Sequence, residues 1–269
     1  MYGLGFIPSP QDNSDVLFSN IIRESATELI LPVKHEITDL TPIKNQGQEG
    51  TCVGFACTVG MKEYQEKKEF MRNVELSPRY LYQKCKEIDG IPNRQGTYIR
   101  VAMEVLKNKG VCEWQYWPYT ENDIRSPESG AEGNAHLYKI KSYVRLDGMS
   151  AIKHSLILNG PFVMGVPVFN SWFNESVRDN GIIPKPESDR SESGHAICIT
   201  GYDDNTQQFK FKNSWSIRWG EQGYGYLPYE YLNSSQTEAW SALDASINDY
   251  LSEIEEMILR GLRRILPRI

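Results

Sequence analysis

Apolar and polar positions follow one period in the first half of this chain and another in the second, with the change near residue 136. Before it the pattern is helical. Cys52-Val53-Gly54-Phe55-Ala56-Cys57-Thr58-Val59-Gly60-Met61 is apolar almost all round and runs into the charged stretch Lys62–Glu69. That predicts a helix buried at its start and wet at its end. Ser77-Pro78 opens a second helix with an N-cap and an N1 proline, running to about Ile88. Tyr98–Asn108 is a third, ending before Gly110. Beyond residue 136, Tyr138–Leu146, Pro161–Val168, Ala196–Tyr202, Phe209–Asn213 and Tyr224–Pro228 are short runs rich in Val, Ile, Tyr and Phe, the pattern of strands. Only Ser150–Leu158 between them reads as helix. A helical half followed by a β half predicts an α+β fold rather than alternating βαβ units, with a cleft favoured at the junction.

The two ends stand apart. Residues 1–30 pass from a loop-like Pro8-Ser9-Pro10-Gln11-Asp12-Asn13-Ser14-Asp15 into a segment, Val16–Glu28, long enough for one helix. The chain then reads as extended to about Asn45. At the other end Ile247, Leu251, Ile254, Ile258 and Ile265 recur at helical spacing, with Gly261 filling one place. The organisation expected is a leader (1–30), a main domain (31–235, divided near 130 into a helical lobe from 46 and a β lobe) and an amphipathic C-terminal helix within 236–269. That helix would pack on its own domain, on a second copy or on another polypeptide.

Composition excludes several classes. In 269 residues, 40% are hydrophobic and 24% charged, as in globular proteins. The net charge of −6 offers no basic excess for tracking nucleic acid. No window of 18 apolar residues exists to span a membrane, and the first residues lack the basic end and apolar run of a secretory signal. Five cysteines (52, 57, 85, 112, 198) without a CxxC pair argue against a disulfide framework and against zinc, although Cys85 and Cys112 could pair in an oxidising setting. The expected compartment is the cytosol, and no cofactor or metal is called for.

Candidate chemistry changes the picture most. A thiol nucleophile needs a thiolate, a base, something to orient that base, and donors for the oxyanion. Cys52 follows Gly50-Thr51 at a predicted helix start, where the helix dipole favours negative charge. His195 leads into a strand and offers the imidazole. Asn213 ends another strand and could accept its second N–H. Gln46, six residues before Cys52, could aim its amide at the oxyanion.

Asn45-Gln46-Gly47 … Cys52, Gly194-His195-Ala196 and Lys212-Asn213-Ser214-Trp215 … Trp219-Gly220 … Gly223-Tyr224-Gly225 together resemble the three signature blocks of the papain family of cysteine peptidases. Cys52 and His195 lie 143 residues apart, within the roughly 130–150 of papain-like enzymes. Leu76-Ser77-Pro78-Arg79-Tyr80-Leu81 and Tyr116-Trp117-Pro118-Tyr119 resemble its structural segments. The resemblance implies a papain-like two-lobed fold, helical lobe and β-barrel-like lobe, with a polypeptide substrate in the groove between. It implies Cys52 as nucleophile, His195 as general base and acid, Asn213 as its orienter, Trp215 as the shield, and the Gln46 side chain with the Cys52 N–H as the oxyanion hole. Gly96, Gly165, Ser193, Gly194, Ala196 and Trp215 would line the groove; Gly165, Ser193 and Ala196 are small, which suggests a roomy pocket.

The local signature C-G-[SA]-C-[WY] reads Glu49-Gly50-Thr51-Cys52-Val53 here. The first cysteine, disulfide-bonded in secreted members, is Glu49, and Gly194 replaces an acidic or amide residue before the histidine. Residues 1–30 stand where the family has a long inhibitory propeptide. These departures resemble the prokaryotic branch, which lacks the disulfides, and the leader is expected to lie across the groove as a propeptide or a plug. Two other readings share the sequence: a transglutaminase-like acyltransferase, and a catalytically silent peptide-binding relative.

Overall fold

The computed structural model describes residues 2–24, 30–123, 125–186, 191 and 193–243. In chain order the elements are α1 (Phe18–Glu24), β1 (Lys34–Glu36), α2 (Cys52–Phe55), a π-helical stretch Ala56–Lys62 continuing into α3 (Glu63–Phe70), α4 (Pro78–Lys86), α5 (Ile99–Asn108), α6 (Ala131–Ala135), β2 (Ser142–Arg145), α7 (Met149–Asn159), β3 (Phe162–Val168), α8 (Glu175–Asn180), β4 (Ser193–Asp203), β5 (Gln208–Lys212), β6 (Tyr224–Pro228) and β7 (Glu238–Leu243). The strands form one antiparallel sheet in the order β2-β7-β3-β4-β5-β6, with β1 pairing to β4. The α+β expectation holds.

Period-2 alternation on the middle strands builds two cores at once. Phe162, Met164, Val166 and Val168 of β3, with Ile197 and Ile199 of β4, join α1 and α7 on one side of the sheet. Val163, Ala196 and Cys198 point the other way, into the core of α2, α4 and α5. Every residue of β3 is therefore buried, as in a strand covered on both faces. Gly60 lets the π-helical stretch press onto β4: a Cβ there would come within 2.4 Å of the Cys198 side chain. Lys212 ties the lobes together, its Nζ donating to Val59 O (2.9 Å) and Thr41 O (2.6 Å). Helix α4 begins as the sequence predicts, the Ser77 hydroxyl accepting the Tyr80 N–H at 3.0 Å.

Three expectations need correcting. Residues 238–243 are not the start of a C-terminal helix; β7 lies between β2 and β3, with Trp240 opposite Arg145 on one side and Val163 on the other. The β lobe thus runs to at least Leu243, and the proposed helix beyond it falls outside the described residues. Second, α8 is a further helix among the strands, six residues long and so too short to show a period. Third, the strand expected over 138–146 shortens to β2 because His136–Tyr138 close a 3₁₀ turn. Cys85 and Cys112 are both buried, free thiols.

Candidate active site

The four residues singled out for catalysis converge between the two cores. Cys52 opens the long helical run and is fully buried, its Sγ accepting the Ala196 N–H at 3.4 Å. That contact sets the thiol beside the residue following His195. The His195 Nε2 meets Asn213 Oδ1 at 2.8 Å, so Asn213 fixes the ring's orientation. Nδ1 is buried with no hydrogen-bond partner among the described residues and is the nitrogen left for the thiol. The Trp215 indole covers the imidazole, centroids 4.3 Å apart and planes 22° from parallel, and Trp172 stands edge-on to the same ring at 6.4 Å. Gln46 is held from two sides. Its Oε1 accepts the Ser214 hydroxyl at 2.5 Å and its Nε2 donates to Glu49 O at 2.9 Å.

Of the expected groove residues, Gly165 and Gly194 sit on paired strands, Gly165 opposite Ala196 and Gly194 opposite Pro167. Gly96 faces them from the helical lobe, and its N–H donates to the Tyr82 hydroxyl at 3.2 Å. Ala196 serves the thiol rather than a side-chain pocket. Ser193 lies exposed where β4 begins and is not drawn into the cluster.

The family model for papain family cysteine proteases matches residues 32–241. This chain belongs to that family. An uncharacterized peptidase C1-like protein of Acanthamoeba polyphaga mimivirus is 29% identical, across 85% of this chain and 82% of its own. Mouse cathepsin K is 28% identical over 84% of this chain and 67% of its length. Among solved structures, xylellain, a cysteine protease from Xylella fastidiosa, superposes with a TM-score of 0.78 at 28% identity, covering 91% of this chain and 97% of that one. Procathepsin L 3 of Tenebrio molitor, at 19% identity and a TM-score of 0.67, shares the fold. The protein is a cysteine peptidase, a hydrolase acting on peptide bonds; these relatives favour neither the acyltransferase nor the silent reading.

In this protease the groove already holds a peptide, its own residues 2–7. The Tyr2 ring stacks on Trp215, centroids 4.6 Å apart. Gly3 O accepts from Gln46 Nε2 at 3.2 Å and Trp215 Nε1 at 3.4 Å. Gly5 hydrogen-bonds the Cys52 thiol through its main chain, and Gly5 O accepts the Thr97 N–H at 2.9 Å. The Phe6 N–H donates to Gly194 O at 3.1 Å, and its ring, 2% exposed, fills the space beside Gly165. The space that Gly165 leaves is thus filled by Phe6. Further on, Ser9 bonds both carboxylate oxygens of buried Glu238 (2.8 and 3.1 Å), and Arg100 pairs with Asp12 and Asp15. Sequence reasoning placed a leader near the groove but missed the residues that seat it; the signal was Gly3-x-Gly5-Phe6, two bare positions followed by a ring.

Burial sets the electrostatics. Desolvation pushes the Cys52 thiol up to about 11, against hydrogen bonds from the Ala196 and Gly5 main chain. Desolvation also drives His195 down to about 4, opposed by Asn213. The neutral thiol and neutral imidazole are therefore favoured while the groove is filled.

Proposed function

We propose that Cys52 and His195 work as a thiolate–imidazolium pair, that Asn213 orients the imidazole, and that Gln46 Nε2 and the Cys52 N–H stabilise the tetrahedral oxyanion. Thiolate attack on a substrate carbonyl forms the new C–S bond. His195 then gives its proton to the departing amine, and water, deprotonated by His195, releases the acyl group. One observation carries this reading: a peptide carbonyl oxygen, that of Gly3, is bound by Gln46 Nε2, the kind of donor an oxyanion needs.

The same reading makes residues 2–7 a self-inhibiting plug. His195 must protonate the leaving amine, so a substrate's C-terminal half departs past Trp215 and its N-terminal half lies toward Gly96 and Gly165. The leader has the opposite polarity, with Tyr2 on Trp215 and Phe6 beside Gly165, so none of its bonds is presented for attack. Peptide hydrolysis by the full chain, compared with Phe6→Ser and Cys52→Ala, tests both parts: Phe6→Ser should be faster and Cys52→Ala inert. The spacing of Ile247, Leu251, Ile254 and Ile258 supports protein contact for the C-terminal segment, and five free thiols suit a reducing cytosol.

A further inference from the structure

The six-residue turn Gln46–Thr51 begins at one proposed oxyanion donor and ends one residue before the other, the Cys52 N–H, yet no disulfide fixes its shape. What holds it is an ion pair. Glu49, 9% exposed, receives the Arg79 guanidinium as a fork: Nη1 to Oε1 and Nη2 to Oε2, each 2.6 Å. Arg79, 1% exposed, comes from the first turn of α4, and its Nη2 also reaches Thr120 O at 2.7 Å. The Glu49 carboxylate accepts the Asn122 N–H at 2.9 Å, and the Tyr119 hydroxyl lies 3.3 Å from it.

Tyr119 closes the arrangement. Its ring lies under the guanidinium at 4.7 Å, and its hydroxyl donates to Gln46 O at 2.7 Å and meets Thr51 Oγ1 at 3.0 Å. The Glu49 carbonyl meanwhile accepts both Gln46 Nε2 (2.9 Å) and the Thr51 N–H (2.8 Å). One residue thus anchors its side chain in the helical lobe and aims the donor amide with its main chain.

We propose that Glu49 and Arg79, with Tyr119, form a positioning clamp that sets the separation and aim of the two oxyanion donors. Preorganised donors contribute only when their geometry is held before charge develops. A buried ion pair is weak evidence of stability, and in some systems such a pair serves conformational specificity instead. A fork of two parallel bonds fixes angle as well as distance, which an ammonium group cannot do.

The clamp rests on the assignment of Gln46 as a donor, and the test separates the two. Full-length Glu49→Gln, Arg79→Lys, Tyr119→Phe and Gln46→Ala are each made with Phe6→Ser, so that the leader's hold is equally weak in all. Hydrolysis of a peptide anilide gives kcat and KM; alkylation of Cys52 by iodoacetamide, a reaction at saturated carbon with no oxyanion, reports the thiol alone. Gln46→Ala should lower kcat by about 10²–10³. Glu49→Gln should lower kcat by about tenfold or more with KM and alkylation nearly unchanged, and Arg79→Lys, which keeps the charge without the fork, should fall between it and the parent. Should Glu49→Gln fail to fold, Tyr119→Phe removes a single hydroxyl and must show the same split. Parallel loss of turnover and alkylation, or no loss of kcat in folded variants, overturns the clamp while leaving the donor intact. Unchanged kcat in Gln46→Ala overturns the donor and the clamp with it.

Discussion

The Phe6 ring occupies the space that Gly165 leaves by having no side chain: a Cβ on Gly165 would come within 2.3 Å of two ring carbons. A leader residue and a strand residue 159 positions later are thus matched in shape. Gly3 and Gly5 are matched to the catalytic turn in the same way, since a Cβ on Gly5 would come within 2.1 Å of Gly50 O.

From this match, Phe6→Ser should release the plug without harming the enzyme. Burying a phenyl ring contributes about 1.5–3 kcal/mol, so hydrolysis of small peptides by full-length Phe6→Ser should rise by roughly tenfold or more, with little change in Tm. Gly165→Val should also expel Phe6, but it fills the pocket substrates need. The leader would then become sensitive to added protease while turnover stays low. Equal activity of Phe6→Ser and parent would reduce the leader to packing.

Thiol labelling checks the nucleophile. Burial pushes Cys57 and Cys85 well up, and Cys112 and Cys198 to about 12, so at neutral pH none of them competes as a thiolate. Iodoacetamide followed by peptide mass mapping should find Cys52 alone, slowly in the parent and faster in Phe6→Ser. Cys52→Ala should abolish both labelling and turnover. Modification of Cys85 or Cys112 ahead of Cys52 would reject the assignment.

The candidate set was legible because each member sits in a short motif, and the motifs stand at intervals that resemble those of the papain family. Cys52, His195, Asn213 and Gln46 supply the group types a thiol nucleophile requires, and the resemblance of the three blocks is what joined them. The clamp was not. Glu49 and Arg79 are 30 residues apart, and no period links a turn residue to a helix N-terminus. Strand β7 was missed for a different reason. Glu238-Ala239-Trp240-Ser241-Ala242-Leu243 has no β-branched residue, and it is a strand because β2 and β3 hold it from both sides. The π-helical stretch after Cys52 likewise answers to tertiary demands, the approach of Cys198 to Gly60 and of Lys212 to the Val59 carbonyl.

Acid should leave the plug's hold unchanged over the neutral range. In the filled groove burial raises Cys52 to about 11 and lowers His195 to about 4, so the thiol keeps its proton and the imidazole is neutral. In the open groove the proposed pair is thiolate and imidazolium, which holds the same single proton on nitrogen instead of sulfur. Opening therefore takes up no proton between the pair's own pKa values, and linkage gives no pH dependence there. The activity of the full chain relative to Phe6→Ser should stay flat between pH 7 and pH 5. A ratio that climbs as the pH falls would show that the imidazole of the open groove titrates alone, and would reject the ion pair.

The clamp also has a signature in stability. Burial alone would raise the Glu49 carboxyl, but the Arg79 fork, the Asn122 N–H and the Tyr119 hydroxyl outweigh it and hold it below its ordinary 4.5. A depressed carboxyl contributes stability above its unfolded pKa and loses it as the pH falls through the folded one. Parent melting temperatures should thus drop on acidification below about pH 4.5, and the drop should be shallower in Glu49→Gln. At pH 7 that variant leaves Arg79 buried and unpaired, a loss of about 3–5 kcal/mol. Glu49→Gln/Arg79→Met removes both charges at similar volume and should recover most of it, because a buried pair replaced whole is close to neutral. Its kcat should stay low, since neither side chain then fixes the turn that carries Gln46 and Cys52. Recovery of kcat together with Tm in the double variant would mean that the pair serves the fold alone.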